Sequence, residues 1–307
     1  MWRFAIPCAV LLSGYLIYVQ VSPAEVDSPS ATEAKLLCSK LASLHKPLGK
    51  IQPGDWLERH KEPGQTFDEY LRSSPVTLHG KRKIIYVQPL GDFRPDEKKI
   101  MDLTVDYMGR FFPTEINVLD PIPLSMIPDK AKRVRLSQQI LSTYVLDILK
   151  PRLPKDGAAI IALTATDLWP GEGWNFVFGQ ASIRERVGVW SMHRNGDPSE
   201  GEDAFKLCLK RTIKTAVHET GHMLSIRHCI AYQCVMCGSN SRRESDRQPI
   251  HLCPEDVAKI CWATQTSALA RYERLLEFCK ENGLDEEAEF FQKSIDLLKK
   301  VDTKQGD

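Results

Sequence analysis

Read as apolar and polar positions, the chain changes rhythm several times. A mainly apolar run from Phe4 to Val19, broken by Pro7, Ser13 and Gly14, follows the basic residue Arg3 and gives way to Glu25-Val26-Asp27-Ser28. That layout is a signal peptide's, with Ser22-Pro23-Ala24 as a small-x-small cleavage site. Uncleaved, the same run, extended through Val21, would be a short membrane anchor. A cytosolic helix packed on the domain is the alternative. We therefore expect residues 1–24 to be a signal peptide or anchor on the secretory route, with a cytoplasmic protein as the other reading. Residues 25–82 carry scattered Pro, Gly and Ser and two short helical pieces, Glu33 to Leu44 and Phe67 to Leu71. They read as a wrapping extension without chemistry of their own.

From Lys83 the rhythm alternates between strand and helix. Ile84 to Val87 is a β-rich run ended by Pro89 and Gly91, and Ile116 to Leu119 is a second strand closed by Pro121 and Pro123. Between them, Ile100, Leu103, Tyr107, Met108 and Phe111 recur at helical spacing from Pro95 onward. Gln138 to Leu149 predicts a second amphipathic helix and Ala158 to Leu163 a buried strand. Phe176-Val177-Phe178 and Val187 to Trp190 predict two more strands, and Phe205 to Leu224 a long helix. Strands alternating with helices imply an α/β sandwich rather than a bundle. This domain spans 83–264. At 265–307 two further amphipathic helices, Leu269 to Lys280 and Asp285 to Val301, break at Asn282-Gly283 and pack on the domain or on each other.

Charge excludes more than it suggests. Among 307 residues, basic and acidic side chains nearly cancel to a formal net charge of +1, so nothing favours a nucleic-acid partner.

The chemistry lies on the long helix. His218-Glu219-Thr220-Gly221-His222 reads H-E-x-x-H, and His228 follows six residues after His222. Residues four apart share a helix face, so His218 and His222 can present two imidazoles to one point. A catalytic zinc wants three protein ligands and an open fourth position, and His228 supplies the third if the chain turns back after the helix. Glu219, beside the first ligand, is placed to take a proton from the water that the metal activates. The competing view is a helix whose histidines merely occupy a core or surface face.

Beyond His228 the chain reads Cys229, four residues, Cys234-Val235-Met236, then Gly238-Ser239-Asn240. With Asp167-Leu168-Trp169-Pro170 and the tract from Trp174 to Ser182 upstream, it resembles the archaemetzincin family of zinc metallopeptidases over roughly Lys83 to Tyr272. The resemblance implies a metzincin-like α/β catalytic domain with a twisted mixed sheet. It also implies a catalytic Zn2+ on His218, His222 and His228, with Glu219 as base and Met236 as an apolar floor beneath the metal. Two departures stand out. Ser225 occupies a position where the family has a glycine, which would turn the backbone at positive φ. The family's second, structural zinc is expected on four cysteines; Cys229, Cys234 and Cys253 match three, and the fourth position holds Asp256. A Cys₃Asp set is chemically acceptable, with Cys237 or Cys261 as alternative fourth ligands.

Disulfides are the rival account of these thiols, since eight cysteines remain if Cys8 is removed with a leader, and Cys38, Cys208 and Cys279 could pair. The crowding of five cysteines beside a metal motif favours metal. Three function classes follow. A zinc peptidase acts on a peptide or protein substrate, with an aminopeptidase-like preference suggested by the resemblance. A catalytically weak zinc-binding scaffold would keep the fold, but would have no chemical need for Glu219. A disulfide-stapled binding module would explain the cysteines and not the histidines.

Overall fold

The computed structural model describes residues 30–302, so the expected leader at 1–24 lies outside the described residues. In chain order the elements are α1 (Ala31–Leu41), α2 (Trp56–Arg59), α3 (Phe67–Arg72), β1 (Ile84–Leu90), α4 (Pro95–Phe111), β2 (Glu115–Val118), β3 (Lys132–Val134), β4 (Gln138–Leu141) and α5 (Ser142–Leu149). There follow β5 (Gly157–Thr164), β6 (Asp167–Trp169), β7 (Gly179–Ser182), β8 (Val187–Ser191), α6 (Glu202–Met223), α7 (Arg242–Asp246), α8 (Pro254–Thr264), α9 (Ala268–Glu281) and α10 (Asp285–Asp302).

The main sheet runs β2-β1-β5-β8-β7, parallel except for the antiparallel edge strand β7, and β3-β4-β6 form a smaller one. Side chains alternate across a strand, so Ile85, Val87, Ile161 and Leu163 face one way while Ile84, Tyr86, Ile160 and Ala162 face the other. The first set packs with α4 and α6, the second with α5. Helices on both faces make this the α/β sandwich that the alternation predicts. One apolar core runs on from there into Ala34, Leu41, Phe67 and Tyr70 of the N-terminal extension and Leu275, Phe278, Phe291 and Ile295 of the last two helices. Among the described residues no helix is long and apolar enough to cross a membrane.

Three local expectations are corrected. The first strand does not stop before Pro89 but continues to Leu90. Its ladder with β2 ends at Val87, so proline's missing N–H costs nothing there, while Pro89 and Leu90 still align with Leu163 and Thr164 of β5. Gln138 to Leu149 is not one helix. Gln138–Leu141 is strand β4, paired on both sides, and Leu141 stays extended at φ −68, ψ 108 before α5 begins. The helical period there is overridden by partner strands that satisfy its backbone. Finally, Phe176 and Phe178 are not strand residues. Val177 makes an isolated bridge to Leu168, and the two rings lie under the guanidinium groups of Arg194 and Arg242 at 3.7 and 3.6 Å.

Candidate metal centre

Helix α6 buries Ile213, Ala216, Val217 and Thr220 and leaves His218 and His222 half-buried on its other side, with ring centroids 4.6 Å apart. Its end is a Schellman turn: Ile226 N–H donates to Gly221 O (3.1 Å) and Ser225 N–H to His222 O (2.9 Å). Ser225 sits at φ 70, the left-handed conformation expected of it. Its hydroxyl does more than the sequence suggests, accepting a bond from Val76 N–H at 3.2 Å and tying the turn to the extension. The reversal brings His228 back, its ring 5.2 Å from that of His218 and 4.8 Å from that of His222.

Hydrogen bonds assign the protons. His218 Nδ1 lies 2.8 Å from the Val235 carbonyl and His222 Nδ1 2.7 Å from the Ile226 carbonyl. Carbonyls only accept, so each Nδ1 carries the hydrogen and each Nε2 a lone pair. Those two Nε2 atoms face each other at 3.0 Å. Burial first, then the neighbouring rings, pushes the pKa of both down to about 4, so protonation does not relieve the repulsion at neutral pH. His228 is held down to about 3 by burial and His222. Three neutral imidazoles converging within 4.8 Å suit a divalent metal.

Glu219 lies beside them, half-buried, and burial raises its carboxyl above the usual range. Two glycines permit this crowding. A Cβ on Gly179 of the edge strand would meet Glu219 Cγ at 3.4 Å and Val189 O at 3.1 Å. One on Gly221 would meet the sulfur of Met236 at 2.7 Å, which places the fully buried Met236 against the metal-motif helix.

A second cluster begins one residue on. Cys229, Cys234, Cys253 and Asp256 bring their ligand atoms within 4.8 Å of one another. Asp256 Oδ2 is 3.3 Å from both Cys234 Sγ and Cys253 Sγ, and its Oδ1 accepts from Lys259 Nζ at 2.7 Å. Cys237 points at the Tyr232 carbonyl (3.2 Å) and lies beside the Cys229 thiol without belonging to the convergent group, and Cys261 is buried apart on α8. Hydrogen bonds from the neighbouring thiols favour the Cys229 thiolate, while burial pushes Cys234 and Cys253 well up. Such a set suits a structural zinc, which binds by displacing thiol protons. All eight cysteines among the described residues are free thiols, so the disulfide-stapled module has no support here.

Comparison with known proteins settles the family. The model of Peptidase family M54 matches residues 147–261. Archaemetzincin-2 of Macaca fascicularis is 31% identical over 276 residues, covering 79% of this chain and 76% of that protein. The chain belongs to the archaemetzincin family. Human Archaemetzincin-2 is 30% identical over 80% of this chain and 77% of its own. The crystal structure of archaemetzincin from Archaeoglobus fulgidus, complexed with malonate, covers 57% of this chain and 99% of that one at 30% identity and a TM-score of 0.47. Membership makes this chain a zinc metallopeptidase, a hydrolase of peptide or protein substrates.

In this archaemetzincin a cleft of about 540 Å³ opens beside the histidines, lined by Glu62, Gln65, Ile183, His222, Arg227 and His228 among others. A smaller recess of about 90 Å³ reaches Phe178, His218, Glu219 and Arg242. Three polar residues at the two clusters escaped the sequence reading. Glu62 meets His228 Nδ1 at 2.8 and 3.0 Å, Gln65 bonds Ser225 O and Arg227 N, and Lys259 pairs with Asp256. No sequence signal marks Glu62, since 166 residues separate it from its partner.

Proposed function

We propose that His218, His222 and His228 hold the catalytic zinc of this peptidase, that Glu219 is its general base, and that Cys229, Cys234, Cys253 and Asp256 hold a second, structural zinc. The observation that carries the first part is the pair of lone-pair-bearing Nε2 atoms facing at 3.0 Å with both Nδ1 protons engaged elsewhere. That donor set calls for a cation. When bound, zinc supplies Lewis acidity, polarising the scissile carbonyl and making water acidic enough to act as a nucleophile near neutrality.

This chain's own residues do the rest. Glu219 belongs to the same helix turn as the ligands but makes no donor contribution to the triad, so its carboxylate is free to take a proton from the attacking water. Burial, which raises its pKa, prepares it to hold that proton and return it to the departing amine. The cleft beside His222 and His228 is where an extended peptide would lie. Ile183, exposed, and Ile226, buried, give that cleft its apolar lining. The aminopeptidase-like preference rests on family resemblance. Glu62 is the one carboxylate lining the larger cleft, but it is engaged by His228 rather than offered to a substrate ammonium.

Glu219→Ala should leave both metals in place and lower kcat by about 10²–10⁴-fold, the usual worth of a positioned general base. His222→Ala should lose metal and activity together. If Glu219→Ala released the metal as readily as His222→Ala, the assignment of a base would be wrong. Matched peptides with free and acetylated amino termini test the exopeptidase preference, and equal hydrolysis of both would end it.

A further inference from the structure

His218 and His222 stand on the helix α6, and their Nδ1 protons go to the neutral backbone carbonyls of Val235 and Ile226. His228 stands on a loop, and its Nδ1 faces a charge instead. Both oxygens of Glu62 lie within 3.0 Å of it, with the carboxylate side chain 27% exposed.

Glu62 is not there by accident of a mobile loop. Before it, Trp56 N–H donates to Glu244 at 2.8 Å, and Lys46 and Leu48 exchange backbone bonds with Gln233 and Ala231. After it, Gln65 O accepts from Lys259 at 2.6 Å while the Gln65 amide spans Ser225 O and Arg227 N. The Trp56 and His228 rings meet nearly at right angles, with centroids 5.3 Å apart. The segment is thus fixed to the loop that carries His228 from both sides.

We infer that Glu62 is a positioning residue of the zinc site: it accepts the Nδ1 proton of His228, fixes that ring's tautomer and aims Nε2 at the point His218 and His222 share. The inference rests on the reading of His228 as a zinc ligand. A carboxylate there raises the basicity of the imidazole and places a negative charge one ring away from the cation. It cannot be a ligand itself, because Nδ1 and Nε2 lie on opposite edges of the ring, and the convergent donor group contains the three histidines without it. The N-terminal extension, which has no motif of its own, therefore completes the metal site.

Cobalt(II) is the probe, loaded into the full chain and challenged with a chelator. Thiolate ligands give intense near-ultraviolet charge-transfer bands and imidazole ligands do not, so the two clusters are read separately. Glu62→Gln keeps the shape and loses the charge, and should weaken the histidine site by about tenfold. Glu62→Ala should weaken it toward a hundredfold, the range known for such outer partners. The cysteine bands should not move. In a His228→Ala background neither change should cost anything more. Unchanged affinity in both variants, or an equal loss without His228, overturns the inference. If His228→Ala alone leaves affinity intact, the ligand reading fails instead, and the two failures are told apart by that single variant.

Discussion

His228 and Cys229 are neighbours in the chain, yet they belong to two clusters built on opposite principles. The histidine cluster is neutral, half-buried and open to a cleft of about 540 Å³. The cysteine cluster is closed, with Cys234, Cys253 and Asp256 at most 1% exposed, and its thiols become anionic donors only as a metal displaces their protons. A metal that must meet substrate needs an open position, whereas one that ties loops together needs a closed shell. Their outer partners differ accordingly. Glu62 adds negative charge behind a neutral ligand, and Lys259, itself buried, offsets the charge of an anionic one. The adjacency couples them, because a metal on Cys229 would pin the loop that delivers His228.

Metal removal should separate the clusters most sharply. A strong chelator is expected to strip the open histidine site first, abolishing activity with little change in folding stability. A slower phase should follow from the buried cluster, removing stability of order 10 kcal/mol as in small zinc domains. Zinc release, activity and denaturant midpoint followed together check this, and a single phase would collapse the distinction.

Next in size is Lys259→Met, which leaves Asp256 buried without its cation. About 3–5 kcal/mol should be lost, measured by denaturant unfolding of the zinc-loaded protein. The same pair changes what Asp256→Cys is expected to do. A thiolate holds zinc more firmly, but Lys259 loses its partner, so tighter retention should appear fully only in Asp256→Cys combined with Lys259→Met. Equal retention by the single and double variants would show that Lys259 does not matter to the cluster.

The smallest effects concern the turn between the clusters. Ser225→Gly relieves about 1–2 kcal/mol of left-handed strain but gives up the bond from Val76 N–H and adds unfolded-chain entropy. The net change should stay within about 1 kcal/mol. Ser225→Ala keeps the strain and loses the bond without the added chain entropy, so it should be the less stable of the two by about 1 kcal/mol. Paired denaturant midpoints decide it, and an alanine as stable as the glycine would mean that the turn carries no strain.

Much of this protein is legible along the chain because the forces involved are local. Pro95 to Phe111 forms the helix that its apolar spacing predicts, and the all-buried run of β5 is a central parallel strand. His218, Glu219 and His222 share a helix because a period of 3.6 places them there, and the turn that returns His228 needs a left-handed residue at Ser225 whatever occupies it. Where neighbours from elsewhere in the chain supply the energy, local pattern misleads or is silent. Gln138–Leu141 has helical spacing but is a strand, since β3 and β6 offer its backbone a ladder on each side. Cys229, Cys234 and Cys253 are pointed to by the resemblance to a family, and the fold gathers Asp256 with them, rather than Cys237 or Cys261, because it turns that side chain inward beside Lys259. Glu62 is the clearest case. A lone glutamate in a polar loop carries no period and no motif. It reaches His228 only because the extension is anchored to the loops around the metal site, and long-range hydrogen bonds of that kind leave no trace in the order of residues.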